Sequence, residues 1–145
     1  IECSPNSLNK TGLIKSEIVG GNLSILYSLL GSKSDIKTDN KILFIEDLDE
    51  YLYHVDRMII SLKRAGKFNN IKAMIVGSMT KMHDNKIKFG MNAKEIIKYH
   101  TREYNFPVCF NFPAGHQKNN RPIVLGKVSK LEINSNLVCL SQWMI

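Results

Sequence analysis

Hydrophobic order along the chain is weak at first and then sharpens. Residues 1–16 carry turn formers and no clear period, and are expected to be a linker or extended entry segment. Gly20-Gly21 predicts a tight turn, with Asn22 as N-cap of a helix from Leu23 to about Leu30 and Gly31 as its stop. Ile42-Leu43-Phe44-Ile45 is an apolar run too short for an independent helix, and fits a strand buried on both faces. It stops at two carboxylates, Glu46 and Asp47. A helical stripe of Leu52, Val55, Met58, Ile59 and Leu62 follows, closed by Gly66. Ile71 to Gly77 reads as a second strand, and the strand–helix–strand unit requires the two strands to be parallel. Asn92 caps a third helix with Ala93, Ile96, Ile97 and His100 on one side, and Pro107 to Phe112 is a third strand. Beyond it, Ile123-Val124-Leu125, then Val128, Leu131 and Ile133, a turn at Asn134-Ser135-Asn136, and Leu137 to Leu140 alternate as antiparallel hairpin structure. The pattern as a whole is α/β with a mixed sheet.

The length of 145 residues suits one domain, and an apolar fraction of 43% is enough for a real core. No run approaches the ~18 apolar residues of a membrane span. The polar start, Ile1-Glu2-Cys3-Ser4-Pro5-Asn6, is not a signal peptide, and without an initiator methionine the chain is expected to begin part-way through a longer protein. Three distant cysteines, Cys3, Cys109 and Cys139, form no CxxC pair, which argues against a disulfide framework and for a reducing compartment. The net charge of +7 raises nucleic acid as a partner, but the lysines and arginines are dispersed. A solvated, mildly basic surface with no nucleic-acid role is the preferred reading.

Chemistry concentrates at the strand ends. Ligands gather at the carboxyl ends of strands in α/β units, and Glu46 stands there, although a solvated strand end before an acidic helix start would read the same way. His116 follows the third strand as Glu46 follows the first, so parallel strands would bring both to one edge. A carboxylate orienting an imidazole is two thirds of a nucleophilic triad. His54 is expected on the surface, His83 in a polar loop and His100 late in a helix. His54 with Asp56 supplies too few ligands for a metal, and Cys109 lies in an apolar strand where a thiol is inert. Gly31-Ser32-Lys33-Ser34 follows a helix, whereas a phosphate loop follows a strand.

Four stretches taken in order resemble a known family. GGNLSILYSLLGS at 20–32, KILFIEDLDEYLYHVDRM at 41–58, IVGSMT at 75–80 and PVCFNFPAGHQKNNRPIVLG at 107–126 are similar to the C-terminal domain of the LD-carboxypeptidases. These are serine peptidases of the muramoyltetrapeptide carboxypeptidase type, with the microcin self-immunity peptidases as relatives. The resemblance runs from about Gly12 to about Ile133. It implies a swivelling β/β/α domain over residues 17–145 and a Ser-Glu-His triad, with Glu46 in the LFIED motif and His116 in the PAGH motif. The serine and its oxyanion-hole amides belong to the family's N-terminal domain, for which this chain has no counterpart; Ser32 and Ser34 lie in the wrong place. The resemblance further implies release of a terminal D-alanine from murein tetrapeptides, cutting after the L-configured centre of a diamino acid, in cytoplasmic cell-wall recycling. It implies no metal or cofactor, and a homodimer as a possible assembly. The chain alone is expected to be inactive. Asn22 and the polar loop Ser78–Met91 are expected, from position only, to touch substrate. Two alternatives stand beside this reading: a non-catalytic binding module of the same fold, and a microcin-type peptidase acting on a peptide–nucleotide conjugate.

Overall fold

A computed structural model describes residues 1–142. Its strands are β1 (Glu2–Cys3), β2 (Gly12–Asn22), β3 (Ile42–Leu48), β4 (Ala73–Thr80), β5 (Val108–Cys109), β6 (Val128–Ile133) and β7 (Val138–Ser141). Its helices are α1 (Leu23–Ser28), α2 (Leu52–Arg64) and α3 (Ala93–Thr101). The strands form one mixed seven-stranded sheet in the order β1-β7-β6-β2-β3-β4-β5. β2, β3, β4 and β5 are parallel, and β6, β7 and β1 continue antiparallel from the other side of β2. The fold is therefore mixed α/β, as the hydrophobic pattern requires.

Alternation along β3 divides the core. Leu43 and Ile45 face a cluster made with the helices, and Ile42 and Phe44 face a second made with Leu131, Ile133, Val138 and Leu140 of the hairpin. The α2 stripe, Leu52, Val55, Met58, Ile59 and Leu62, is buried in the first cluster. Full burial of one such side chain stabilises the fold by about 1.5–3 kcal/mol, which is why this amphipathic segment forms without a side-chain N-cap bond at Tyr51. α3 starts with a complete capping box: Asn92 Oδ1 accepts from the Lys94 and Glu95 amides, and the Asn92 amide donates to Glu95 Oε2.

Four expectations change. Residues 1–16 are not an unpaired entry segment: β1 pairs with β7, and Gly12–Glu17 pairs antiparallel with β6. Gly20 and Gly21 are not a turn but the end of β2, at φ of 137° and 149°. A Cβ on Gly20 would lie 1.8 Å from the Phe44 carbonyl oxygen, so glycine is needed for β2 to approach β3 so closely. Ile123-Val124-Leu125 forms no strand, and Val124 and Leu125 stay exposed. The third parallel strand shrinks to Val108–Cys109, with the residues after it running irregularly beside β4.

Candidate active site

Glu46 lies on the face of β3 that carries Ile42 and Phe44, one step beyond the apolar run. Here the β3–β4 register shifts: Ile45 pairs with Val76, but Asp47 pairs with Met79. Gly77 and Ser78 therefore stand opposite Glu46 alone, a bulge of the kind that re-aims a side chain at a strand end. Glu46 is 5% exposed. It is not a solvated strand end.

His116 reaches it along an irregular path. The Phe112 amide donates to the Val76 carbonyl and the Ser78 amide to the Ala114 carbonyl, which keeps 110–114 beside β4. Gly115 then turns at φ 106°. A Cβ there would lie 2.6 Å from Glu46 Oε2, so glycine lets the loop close onto the carboxylate. The loop is tied at both ends: Asn120 Oδ1 accepts from the Gly115 amide at 2.9 Å, and Thr80 Oγ1 donates to the His116 carbonyl at 2.8 Å.

The two predicted strand-end residues meet. His116 Nδ1 lies 2.8 Å from Glu46 Oε2, and the His116 amide donates to the same oxygen at 3.1 Å. A carboxylate can only accept, so the neutral ring carries its proton on Nδ1 and leaves Nε2 as the basic nitrogen. Nε2 bonds to no described residue, and the side chain is 53% exposed. The hydrogen bond that Nδ1 donates to Glu46, then the charge of that carboxylate, hold the His116 pKa above the ordinary histidine value, with a smaller contribution from Asp47. An oriented imidazole with one free basic nitrogen can take a proton from a nucleophile and return it to a leaving group.

A family model described as the LD-carboxypeptidase C-terminal domain matches residues 15–131. The chain belongs to this family. Among its relatives, the Bacillus subtilis (strain 168) protein named "Probable murein peptide carboxypeptidase" is 32% identical over 86% of the chain and 39% of its own length. The murein tetrapeptide carboxypeptidase of Pseudomonas aeruginosa is 25% identical, over 83% of the chain and 39% of its own length. The chain thus spans about two fifths of the length of these curated relatives. Among solved structures, muramoyltetrapeptide carboxypeptidase from Oxalobacter formigenes superimposes with a TM-score of 0.87 at 23% identity, over 97% of the chain and 48% of its own. The microcin C7 self-immunity protein gives 0.82 at 21% identity, over 99% of the chain and 41% of its own. These likenesses show the LD-carboxypeptidase C-terminal fold.

In this LD-carboxypeptidase domain Asn22 is the register partner of Glu46 across β2 and β3. Its amide group is engaged: Nδ2 donates to Asp47 Oδ1 at 2.8 Å, and Oδ1 accepts from Ser24 Oγ and the Ile25 amide. Asp47, 1% exposed, also accepts from the Ser24 amide, and burial pushes its pKa up against those bonds. It serves the start of α1, not that of α2. His54 pairs with Glu50 rather than Asp56, at 2.6 Å, and is half-buried near Tyr27. Asp56 instead meets the buried His100 at 2.7 Å, pinning α2 to α3. His83 pairs with Asp49 rather than its neighbour Asp84. Cys109 is buried, which drives its thiol pKa well above the usual range. Sequence reasoning put Ser78 and Thr80 in the loop Ser78–Met91, whereas both belong to β4, and it gave neither them nor Asn120 a role at the Glu46–His116 pair, because their spacing carries no periodic signal. No helix among the described residues is long and apolar enough to cross a membrane.

Proposed function

We propose that this chain supplies the glutamate and histidine of a Ser-Glu-His triad in a serine LD-carboxypeptidase that releases terminal D-alanine from murein tetrapeptides. The observation that supports it is the buried Glu46 carboxylate bonded to Nδ1 of a half-exposed His116 whose Nε2 is unbonded. The nucleophilic serine comes from the part of the family proteins that this chain does not span. That serine attacks the carbonyl before D-alanine, and His116 Nε2 takes the hydroxyl proton. Glu46 stabilises the imidazolium, which then protonates the departing D-alanine amine. Water repeats the cycle on the acyl-enzyme. Murein peptide is the substrate, the N-terminal domain the obligatory partner, and the cytoplasm the compartment, where the enzyme works in cell-wall recycling as a homodimer. Asn22, engaged by its internal bonds, touches substrate only through its remaining amide hydrogen.

The test is D-alanine release from a murein tetrapeptide by the two-domain protein carrying this chain, beside the same protein with His116→Ala and the 145-residue chain alone. Release is expected from the first and not from the other two. Equal release by the His116→Ala protein, or enzyme-like release by the chain alone, refutes the role assignment. The microcin C7 self-immunity protein, which shares this fold, has been solved in complex with aspartyl sulfamoyl adenosine, which makes a peptide–nucleotide conjugate the second substrate to assay.

A further inference from the structure

Ser78 lies in the β4 bulge opposite Glu46, and its hydroxyl is unemployed among the described residues. Ser78 is 7% exposed, and its Oγ is shielded from solvent without a hydrogen-bond partner among the described residues. A buried hydroxyl left in that state is costly, and native structures rarely leave one without purpose. The Ser78 amide donates to the Ala114 carbonyl, which fixes its backbone directly beneath the Gly115 turn. The space that a Gly115 side chain would fill is bounded by two oxygens: Ser78 Oγ and Glu46 Oε2 would each lie 2.6 Å from a Cβ there. Glycine at 115 therefore leaves serine and carboxylate facing one gap. On the carboxylate, Oε2 takes both bonds from His116, while Oε1 accepts none from a described residue.

We propose that Ser78 is a positioning residue for the Glu46–His116 pair, its hydroxyl rotating about the Cα–Cβ bond to donate to the Glu46 carboxylate and hold it ionised and aimed at Nδ1. The inference deepens the triad reading and takes Glu46 as the acid of that triad. Its physical content is independent of substrate. A donor to a carboxylate stabilises the charged form and so lowers its pKa. The titratable groups around Glu46 are His116, bonded to it, and Asp47, whose carboxylate turns to the start of α1.

Histidine Cε1–H signals of the 145-residue chain, followed by NMR from acid to alkaline pH, read this directly. The His116 signal senses both its own titration and, at low pH, that of Glu46. Ser78→Ala removes one atom from a packed site and leaves room for the fold. It is expected to move the acid-side inflection up, the direction that loss of a donor to the carboxylate produces. Ser78→Thr, which keeps the hydroxyl, is expected to return it toward wild type. A role limited to filling space would leave the inflection where it is in Ser78→Ala, and that result overturns the inference. Should Ser78→Thr fail to fold, the Ser78→Ala shift decides alone. The outcome is separable from the peptidase assay. Absent D-alanine release with a shifted inflection removes the substrate reading and keeps Ser78. Release with an unmoved inflection does the reverse.

Discussion

Gly115→Ala tests whether the loop after β5 closes onto the carboxylate as described. Two costs follow from the geometry. Residue 115 sits at φ 106°, a conformation that costs a residue with a side chain about 1–3 kcal/mol. The new methyl would also lie 2.6 Å from Glu46 Oε2, 2.6 Å from Ser78 Oγ and 2.8 Å from Glu46 Cβ. Glu46 and Ser78 are both buried, so relief requires moving packed groups, at a further ~1–3 kcal/mol. The expected loss is about 2–6 kcal/mol, or roughly 8–24 °C in Tm for a domain of this size. Function suffers more than stability. Relief displaces the carboxylate that orients His116, and a misplacement of about 1 Å costs about 100-fold in rate. Thermal melts of the chain, the His116 NMR titration, and D-alanine release by the two-domain protein read the three effects. A Gly115→Ala protein that melts with wild type and keeps the raised His116 pKa would show that the loop does not pack as described.

Two further substitutions probe the carboxylates. Glu46→Gln removes the Glu46 charge and the charge-assisted part of its bond, the two largest influences that raise the His116 pKa, so its titration should fall toward the ordinary histidine value of about 6.5. The sign for stability follows: a raised folded pKa adds stability fully present below the unfolded value and lost as pH rises through the folded one. The difference in urea midpoint between wild type and Glu46→Gln should therefore shrink as the pH rises from about 6.5 through the raised His116 pKa, and a constant difference would refute the pairing. Asp47→Ala removes a buried carboxylate whose raised pKa marks a desolvation penalty, yet it strands the Asn22 amide group and the Ser24 amide. The second effect should win, with a loss of about 1–3 kcal/mol in chemical denaturation; a gain in stability would reverse the ranking.

The parts of the fold legible in the sequence are those where one physical demand acts on each residue. β3 needs burial on both faces, so its run is uninterrupted. α2 needs one buried stripe, and all five stripe residues are buried. β2 was illegible because it answers to two neighbours. Its first half pairs with β6 and leaves Leu13 exposed, its second half pairs with β3, and its glycines serve a close approach that looks like a turn. The pairing of Glu46 with His116 could be read because parallel strands deliver their ends to one edge, whatever the loop does in between. The residues that hold the loop could not. Ser78, Thr80 and Asn120 act through bulge register and loop closure, neither of which leaves a period in the sequence.

A histidine bonded to a carboxylate is not by itself a sign of chemistry in this protein. All four histidines have such a partner: His54 with Glu50, His83 with Asp49, His100 with Asp56 and His116 with Glu46. They differ in which partner is buried. The His100 ring is buried while Asp56 is more open, an arrangement that pins helices and offers no nitrogen to a substrate. His83 and Asp49 are both exposed, so water competes for the bond. His54 and Glu50 are each partly covered on a helix surface, four residues apart. Only in the fourth pair is the carboxylate side chain nearly sealed, at 7%, while the ring stands 53% exposed. A sealed carboxylate that accepts from both the ring and the backbone amide of one histidine holds that ring in place, and an exposed ring keeps its second nitrogen for an incoming group. This asymmetry, more than the distance between the two residues, selects His116 as the base of the proposed reaction.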